Sequence, residues 1–408
     1  MRTGGSSSPD EVTTRDPEEA AADGLAAAEE AGVAVVVPPA YGTRDPLWAR
    51  LAILFGVLVM AASGATVAVP RMAAAWFSKD IALVNAIPSE LAGRDISGPI
   101  NLLLLGMDQR NGMEAEDRIR ADSIILVHIP ADHRQIFMIS IPRDSRVRIP
   151  AYPPTGYRGG LDKINSAFAM GALTPDQHRD PSPSGRARGA ELTMRTISNL
   201  VPGGLTFNGA AIIDFEGFEK VLTALGGVRL CVDEEVYSIH YYDDGRRAPI
   251  DLDRIGKQKQ GKHYPVGCSD MQPWEALDYA RQRHIPDGDY GRQRHQQQLL
   301  KAVMAKVASS DTLTNLTTLS RLQSAAGELL TLDLGGNSLE DWVLTLSHLD
   351  ADDIVMIKTN GGDFNSEYLH GTWYEYLSPE SLELLRSVRD DTVLDFLDAH
   401  PDWVASDH

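Results

Sequence analysis

ADSIILVHIPADHRQIFMISIPRDS, residues 121–145, contains two apolar runs of strand length, Ser123–Ile129 and Gln135–Ile141, with Asp132 between them. Both are rich in Ile and separated by turn residues, which predicts a hairpin of two buried strands. A third run, Ile100–Leu105, precedes them and closes on Gly106-Met107-Asp108. Downstream, Gly189–Leu200 reads as a helix, Leu205–Ile213 as a strand, Phe215–Leu225 as a helix stopped by Gly226-Gly227, and Val228–Val232 as a strand. This alternation predicts an α/β layer arrangement. Between these blocks, 151–188 is loop-rich around a helical piece at Ile164–Met170, and 237–267 is a polar excursion. Beyond 310 the pattern is mainly helical with one strand-like run at Ile354–Ile357, and from Thr331 onward 17 acidic residues face three basic ones, a solvated surface.

Charged residues gather where these runs begin and end. Asp108 and Arg110 follow the first strand, Arg120 and Asp122 open the second, and Arg143 and Asp144 close the third. The hairpin makes Asp122 and Arg143 neighbours, and Asp108 joins them if the first strand runs opposite to the second. A fourth group lies in DYARQRHIPDGDYGRQRHQQQLLK (278–301), where Arg281 and Arg283 precede a loop holding Asp287, Gly288, Asp289 and Gly291. A helical pattern then starts near Arg292 and runs through Leu299, Leu300, Val303 and Val307. Guanidinium groups are planar forks of donors suited to phosphate oxygens. Carboxylates converging among them suit a hard divalent cation such as Mg²⁺ or Mn²⁺. One such cluster is ordinarily a salt bridge pinning a loop; four at element ends point to a phosphate site.

The chain has 408 residues and a net charge of −19, an acidic balance that argues against nonspecific nucleic-acid binding. Residues 1–46 are poor in aromatics and carry little apolar surface, so they are expected to be a disordered cytoplasmic tail. Leu51–Val69 contains no charged residue and has Trp48 and Trp76 on either side. At about 1.5 Å per residue it matches one hydrocarbon thickness, so a single transmembrane helix is expected within 47–70. The next segment, 71–98, reads as a helical juxtamembrane stalk ending at Pro88 and Gly93. A domain over 99–309 and a helical acidic extension over 310–408 complete the chain. Cys231 and Cys268 are the only cysteines. In an exported domain they are expected to be paired, tying the polar excursion to the sheet.

The strings NLLLLGMDQR (101–110), RADSIILVHI (120–129), MISIPRDSRV (138–147) and DKINSAF (162–168) occur in order. With DFEGFEKVLTALGGVRLCV (214–232) and ALDYARQRHIPDGDYGRQRHQQQLLKAV (276–303), the chain resembles the LytR–CpsA–Psr family over roughly residues 99–309. The resemblance implies an extracytoplasmic domain with a central mixed sheet flanked by helices, held to the cell membrane by one helix. It implies a hydrophobic pocket for a polyprenyl chain, and phosphotransfer from a polyprenyl-pyrophosphate-linked glycan to a muramic acid hydroxyl of peptidoglycan. Carried over by position, Asp108 and Asp122 would hold Mg²⁺. Arg120, Arg143, Arg281 and Arg283 would clamp the pyrophosphate, and Asp289, Arg292 and Gln296 would complete the polar pocket. The sequence departs from the family where His295 replaces an arginine; the adjacent Arg294 either substitutes for it or faces solvent. A neutral sugar hydroxyl also needs a base, for which Asp108 is the expected residue. Two alternatives remain open at this level: a phosphohydrolase, with water in place of the sugar, and a noncatalytic envelope regulator.

Overall fold

The computed structural model describes residues 81–107, 119–309, 312 and 316–405. The expected tail and membrane helix therefore lie outside the described residues, as does Asp108. Among the described residues no helix is long and apolar enough to cross a membrane.

The strands are β1 (Ala82–Leu83), β2 (Ile100–Met107), β3 (Ala121–Ile129), β4 (Ile136–Ser140), β5 (Arg146–Ile149), β6 (Gly160–Lys163), β7 (Gly209–Asp214), β8 (Val228–Val232), β9 (Val236–Tyr242), β10 (Gly261–Tyr264), β11 (Gly267–Met271), β12 (Leu330–Asp333), β13 (Ile354–Lys358), β14 (Ser366–Leu369) and β15 (Thr372–Glu375). The helices are α1 (Asn165–Gly171), α2 (Pro183–Ser198), α3 (Phe215–Leu225), α4 (Pro273–Tyr279), α5 (Gly288–Ala308), α6 (Leu316–Leu329), α7 (Leu339–Leu346), α8 (Pro379–Asp390) and α9 (Val393–Ala399).

Seven strands form the central mixed sheet, in the order β1-β12-β7-β2-β3-β4-β13. The β3–β4 hairpin is antiparallel, as its sequence predicts, with Ile125 opposite Ser140. β2 runs antiparallel to β3, so Met107 pairs with Ala121 at the same sheet edge. Side-chain alternation divides the apolar runs between two layers. Leu103, Leu105, Ile124, Leu126, Phe137 and Ile139 pack with residues of α1, α2, α8 and α9. Ile100, Ile125, Val127, Ile136 and Met138 face the other way, toward Trp342, Leu300 and Met304. Because both faces are covered, the strands read as continuous apolar runs.

Three expectations need correction. Residues 81–98 are not a helical stalk: β1 pairs in parallel with β12, and the backbone N–H groups of Ala86 and Ile87 donate to the Asp333 carboxylate at 2.5 and 2.7 Å. Pro88 prevents a regular helix here, and the Asp333 carboxylate satisfies the backbone that a helix would have paired internally. The segment after 310 also does more than pack on the domain, since β12 and β13 are strands of the central sheet. Finally, β8 belongs to a separate two-stranded ribbon with β11, in which Cys268 stands opposite Cys231. The disulfide between them therefore closes the polar excursion on that ribbon, not on the central sheet. The excursion itself folds as the antiparallel pair β9–β10.

Local signals explain where the site-bearing helices begin. Ser182 caps α2, accepting from Gly185 N–H, with Pro183 in the first turn; this moves the start well ahead of Gly189. Asp214 caps α3 by accepting from Gly217 N–H at 2.8 Å, and Gly226 ends it at φ 74°. α5 starts at Gly288, earlier than Arg292. A Cβ at Gly291 would come within 2.4 Å of the end of the Ile285 side chain, so any larger residue in this turn of α5 would require Ile285 to shift.

Candidate functional site

The end of β4 and the start of β3 carry the first ion pair. Arg143 Nη1 donates to Asp122 Oδ1 at 2.6 Å, with both side chains largely buried. Arg283, delivered by the loop after α4, places Nη2 3.7 Å from the other oxygen of Asp122. From the first turns of α5, Arg292 Nη2 reaches Asp289 Oδ1 at 2.7 Å and donates to the Asp122 carbonyl at 3.3 Å. Asp122, Arg143, Arg283, Asp289 and Arg292 thus converge from four chain segments. Asp144 joins through Arg143, whose Nε lies 3.8 Å from its carboxylate, and holds Lys163 Nζ at 2.9 Å on its other oxygen.

Three guanidinium groups face two carboxylates here, so the core of the cluster carries excess positive charge. Burial and the neighbouring Arg283 and Arg143 push Arg292 down to about 10 despite the nearby Asp289, yet it remains charged at neutral pH. Burial, then Arg143, also lowers Arg283, whereas Arg143 is raised because Asp122, Asp144 and Asp289 outweigh its own burial. For Asp289, burial favours the neutral acid, but Arg292, Arg143 and Arg283 outweigh it and hold the carboxyl below its usual range. The Nε groups of Arg143 and Arg292 are buried and have no hydrogen-bond partner among the described residues. Buried donors without acceptors are costly, and a bound anion would satisfy them.

The other expected residues fall elsewhere. Arg281 lies over the Phe215 ring, its guanidinium carbon 4.9 Å from the centroid. With Gln296 it lines a cavity of ≈ 220 Å³ between the sheet and the helices α3, α4 and α5. The remaining wall is mainly apolar and includes Leu104, Ile213, Phe218 and Leu299. The sequence signal for this cavity is weak, because its lining is spread over β2, β3, β7, α3, α4, α5 and β12. Arg120 is exposed, with no ion pair among the described residues. Asp144 and Lys163 stand in the motif strings but drew no role from sequence; they meet because β6 pairs with β5, the strand that begins just after Asp144.

Arg294 neither joins the cluster nor faces solvent. Its guanidinium lies 2.5 Å from Asp233, 2.7 Å from Glu234 and 2.7 Å from Asp287, tying α5 to the segment after β8. His295 is fully buried, stacked on Tyr279 with ring centroids 4.1 Å apart. Asp233, Glu234 and His295 have metal-ligand spacing, but the Arg294 cation already occupies both carboxylates.

Comparison with known proteins places this geometry. The profile of the LytR_cpsA_psr family matches residues 76–389. The chain is 29% identical over 301 residues to the polyisoprenyl-teichoic acid–peptidoglycan teichoic acid transferase TagU of Oceanobacillus iheyensis, covering 71% of this chain and 74% of that one. It is 29% identical over 219 residues to the regulatory protein MsrR of Staphylococcus aureus, covering 54% of this chain but only 52% of MsrR. Among solved structures, TagT bound to LI-WTA superposes with a TM-score of 0.51 at 22% identity, over 76% of this chain and 99% of TagT, a likeness of fold.

Proposed function

The chain belongs to the LytR–CpsA–Psr family, and from that premise we propose that it transfers a glycopolymer from a polyprenyl-pyrophosphate carrier to peptidoglycan, forming a phosphodiester. One observation carries this reading: a cluster of Arg143, Arg283 and Arg292 with unsatisfied buried donors stands beside Ser123, Arg281 and Gln296 of an apolar cavity. A lipid diphosphate needs both surfaces, one for its head and one for its chain. The TagU relative, named for polyisoprenyl-teichoic acid and peptidoglycan, supports the same substrate classes.

In the proposed reaction a sugar hydroxyl oxygen attacks the phosphorus that bears the glycan. A new P–O bond forms, the bond to the bridging oxygen breaks, and polyprenyl phosphate leaves with the electron pair. Negative charge grows on the bridging and nonbridging oxygens. Fixed guanidiniums at Arg143, Arg283 and Arg292 stabilise it without reorganising. Arg281 and Gln296 border the lipid end of the site.

The hydroxyl proton must go to a carboxylate. Asp289 is held below the usual range by its arginines and is a poor acceptor. Asp122 is committed to Arg143. Asp108 is therefore the proposed base. Mg²⁺ is a further proposal: Asp122 would offer it a hard oxygen by exchanging its Arg143 contact for the ion, and this ion takes one or two protein carboxylates and leaves its other positions to water and phosphate. When bound, it would supply charge neutralisation at the diphosphate.

Membrane anchoring through 51–69 with the catalytic domain outside the cell is part of the same proposal. The Cys231–Cys268 disulfide supports an oxidising compartment. The test is to incubate the full chain with a polyprenyl-pyrophosphate oligosaccharide and peptidoglycan fragments bearing free muramic acid hydroxyls. A phosphodiester conjugate is expected. Release of glycan phosphate with no conjugate would replace the transferase by a hydrolase.

A further inference from the structure

Beside the arginine cluster, on the side of Asp144 and Asp289, lies a second cavity of ≈ 280 Å³. One wall is Pro142, Asp144, Asp289 and Gln293, and the other is Phe364 with residues of the β14–β15 hairpin. This hairpin is mounted on the cluster itself. Glu375, at its end, accepts from the Tyr290 hydroxyl at 2.9 Å, from Asn360 Nδ2 at 3.0 Å and from Asn365 N–H at 2.8 Å. Its own N–H donates to the Asp144 carbonyl at 3.0 Å. The hairpin is therefore bonded both to the turn that carries Arg143 and to the helix start that carries Asp289 and Arg292.

Three large aromatic side chains stay open to solvent there: Trp373 at 60%, Tyr368 at 58% and Phe364 at 56%. Trp373 and Tyr368 are a cross-strand pair with ring centroids 5.3 Å apart, and Phe364 meets Tyr290 edge-on at 5.2 Å. Burying any of them inside would have contributed to stability, so their clustered exposure marks a contact surface. Asp144 and Asp289 already have cations, Lys163 at 2.9 Å and Arg292 at 2.7 Å. The wall is thus nearly balanced in charge yet rich in acceptor oxygens. It suits a neutral polyhydroxyl ligand better than a second phosphate: C–H faces of a sugar stack on the rings, and its hydroxyls donate to the carboxylates.

We infer that the β14–β15 hairpin, with Phe364, is the binding site for the acceptor glycan strand, with Trp373 as its stacking platform. This rests on the transferase reading, which requires a sugar hydroxyl to arrive at the arginine cluster from a side the lipid does not fill. The apolar cavity takes the donor chain, and the aromatic cavity leads the acceptor to the cluster from the side of Asp144 and Asp289.

The test titrates soluble peptidoglycan saccharides, trimmed of peptide, into the full-length protein by calorimetry, and measures acceptor KM and kcat in the transfer assay. Trp373→Ala is expected to weaken saccharide binding and raise acceptor KM at least tenfold, with a smaller change in kcat. Trp373→Phe should recover most of the affinity, and Phe364→Ala should weaken it independently. Both side chains are more than half exposed, so folding should survive, with circular dichroism as the check. Saccharide affinity and acceptor KM unchanged in Trp373→Ala overturn the proposal. Loss of binding to phospholipid vesicles with saccharide binding intact also overturns it, making the patch a membrane contact. Trp373-dependent saccharide binding in a wild-type protein that transfers nothing would instead sink the transferase reading and leave the glycan site standing.

Discussion

Arg143 and Asp122 are 21 residues apart in sequence, yet their side chains meet at 2.6 Å because β3 and β4 form an antiparallel hairpin with its open end at the site. Every other member of the cluster is positioned relative to this pair. Arg283 and Arg292 approach the same aspartate from a loop and a helix more than 150 residues downstream in the chain.

Arg283 is the cleanest probe of the phosphate reading, since it is partly exposed and makes only a long contact to Asp122. Arg283→Ala is expected to lower kcat/KM about 10²–10³-fold, the usual loss for removing a preorganised donor. Thermal unfolding should move little. Transfer assays on the purified variant check this, and full activity would remove Arg283 from the clamp.

Phe218 lines the apolar cavity away from the charged cluster. Phe218→Gln should weaken binding of a polyprenyl diphosphate about 10- to 100-fold, in line with the ~1.5–3 kcal/mol at stake for one large apolar side chain. A water-soluble short-chain diphosphate should lose less. Equal losses for long and short chains would place the lipid elsewhere.

Arg294 is expected to matter for stability through its three carboxylates. Arg294→Ala strands buried negative charge and should cost about 3–5 kcal/mol in urea denaturation. A loss below about 1 kcal/mol would mean that these contacts are screened as surface pairs are.

The same group sets an acid limit. Burial favours the neutral Asp233 acid, but His295 and Arg294 outweigh it and hold the group at about 2. A depressed folded-state value stabilises above the unfolded pKa, about 4, and that contribution is lost as pH falls from there toward about 2. Urea midpoints between pH 5 and 2 should therefore fall more steeply for the wild type than for Asp233→Asn. Parallel curves would contradict this assignment.

Reduction of Cys231–Cys268 opens a loop of sequence separation 37. The expected loss is about 2–4 kcal/mol on loop-entropy grounds. Calorimetry with and without reductant, or of Cys231→Ser with Cys268→Ser, measures it.

Of the residues that the sequence assigned to the clamp, Arg143 and Arg283 meet at Asp122, while Arg120 is exposed and Arg281 lines the apolar cavity. By itself the sequence determined the β2–β3–β4 centre of the sheet, the helix α3 and its Gly226 stop, and the Asp122–Arg143 pair. Those features are encoded locally, in uninterrupted apolar runs, a turn residue and charges at run ends. It was misleading at 81–98 and silent on β12 and β14–β15, where pairing partners lie hundreds of residues away or the segment is too short to show a period. Only the tertiary structure gave Arg294 its role: Arg292 enters the cluster, whereas Arg294 serves Asp233, Glu234 and Asp287. The two arginines are two residues apart on one helix, about 200° around its axis. Their chemistry is the same in sequence; what differs is which neighbours the packed helix turns each of them toward.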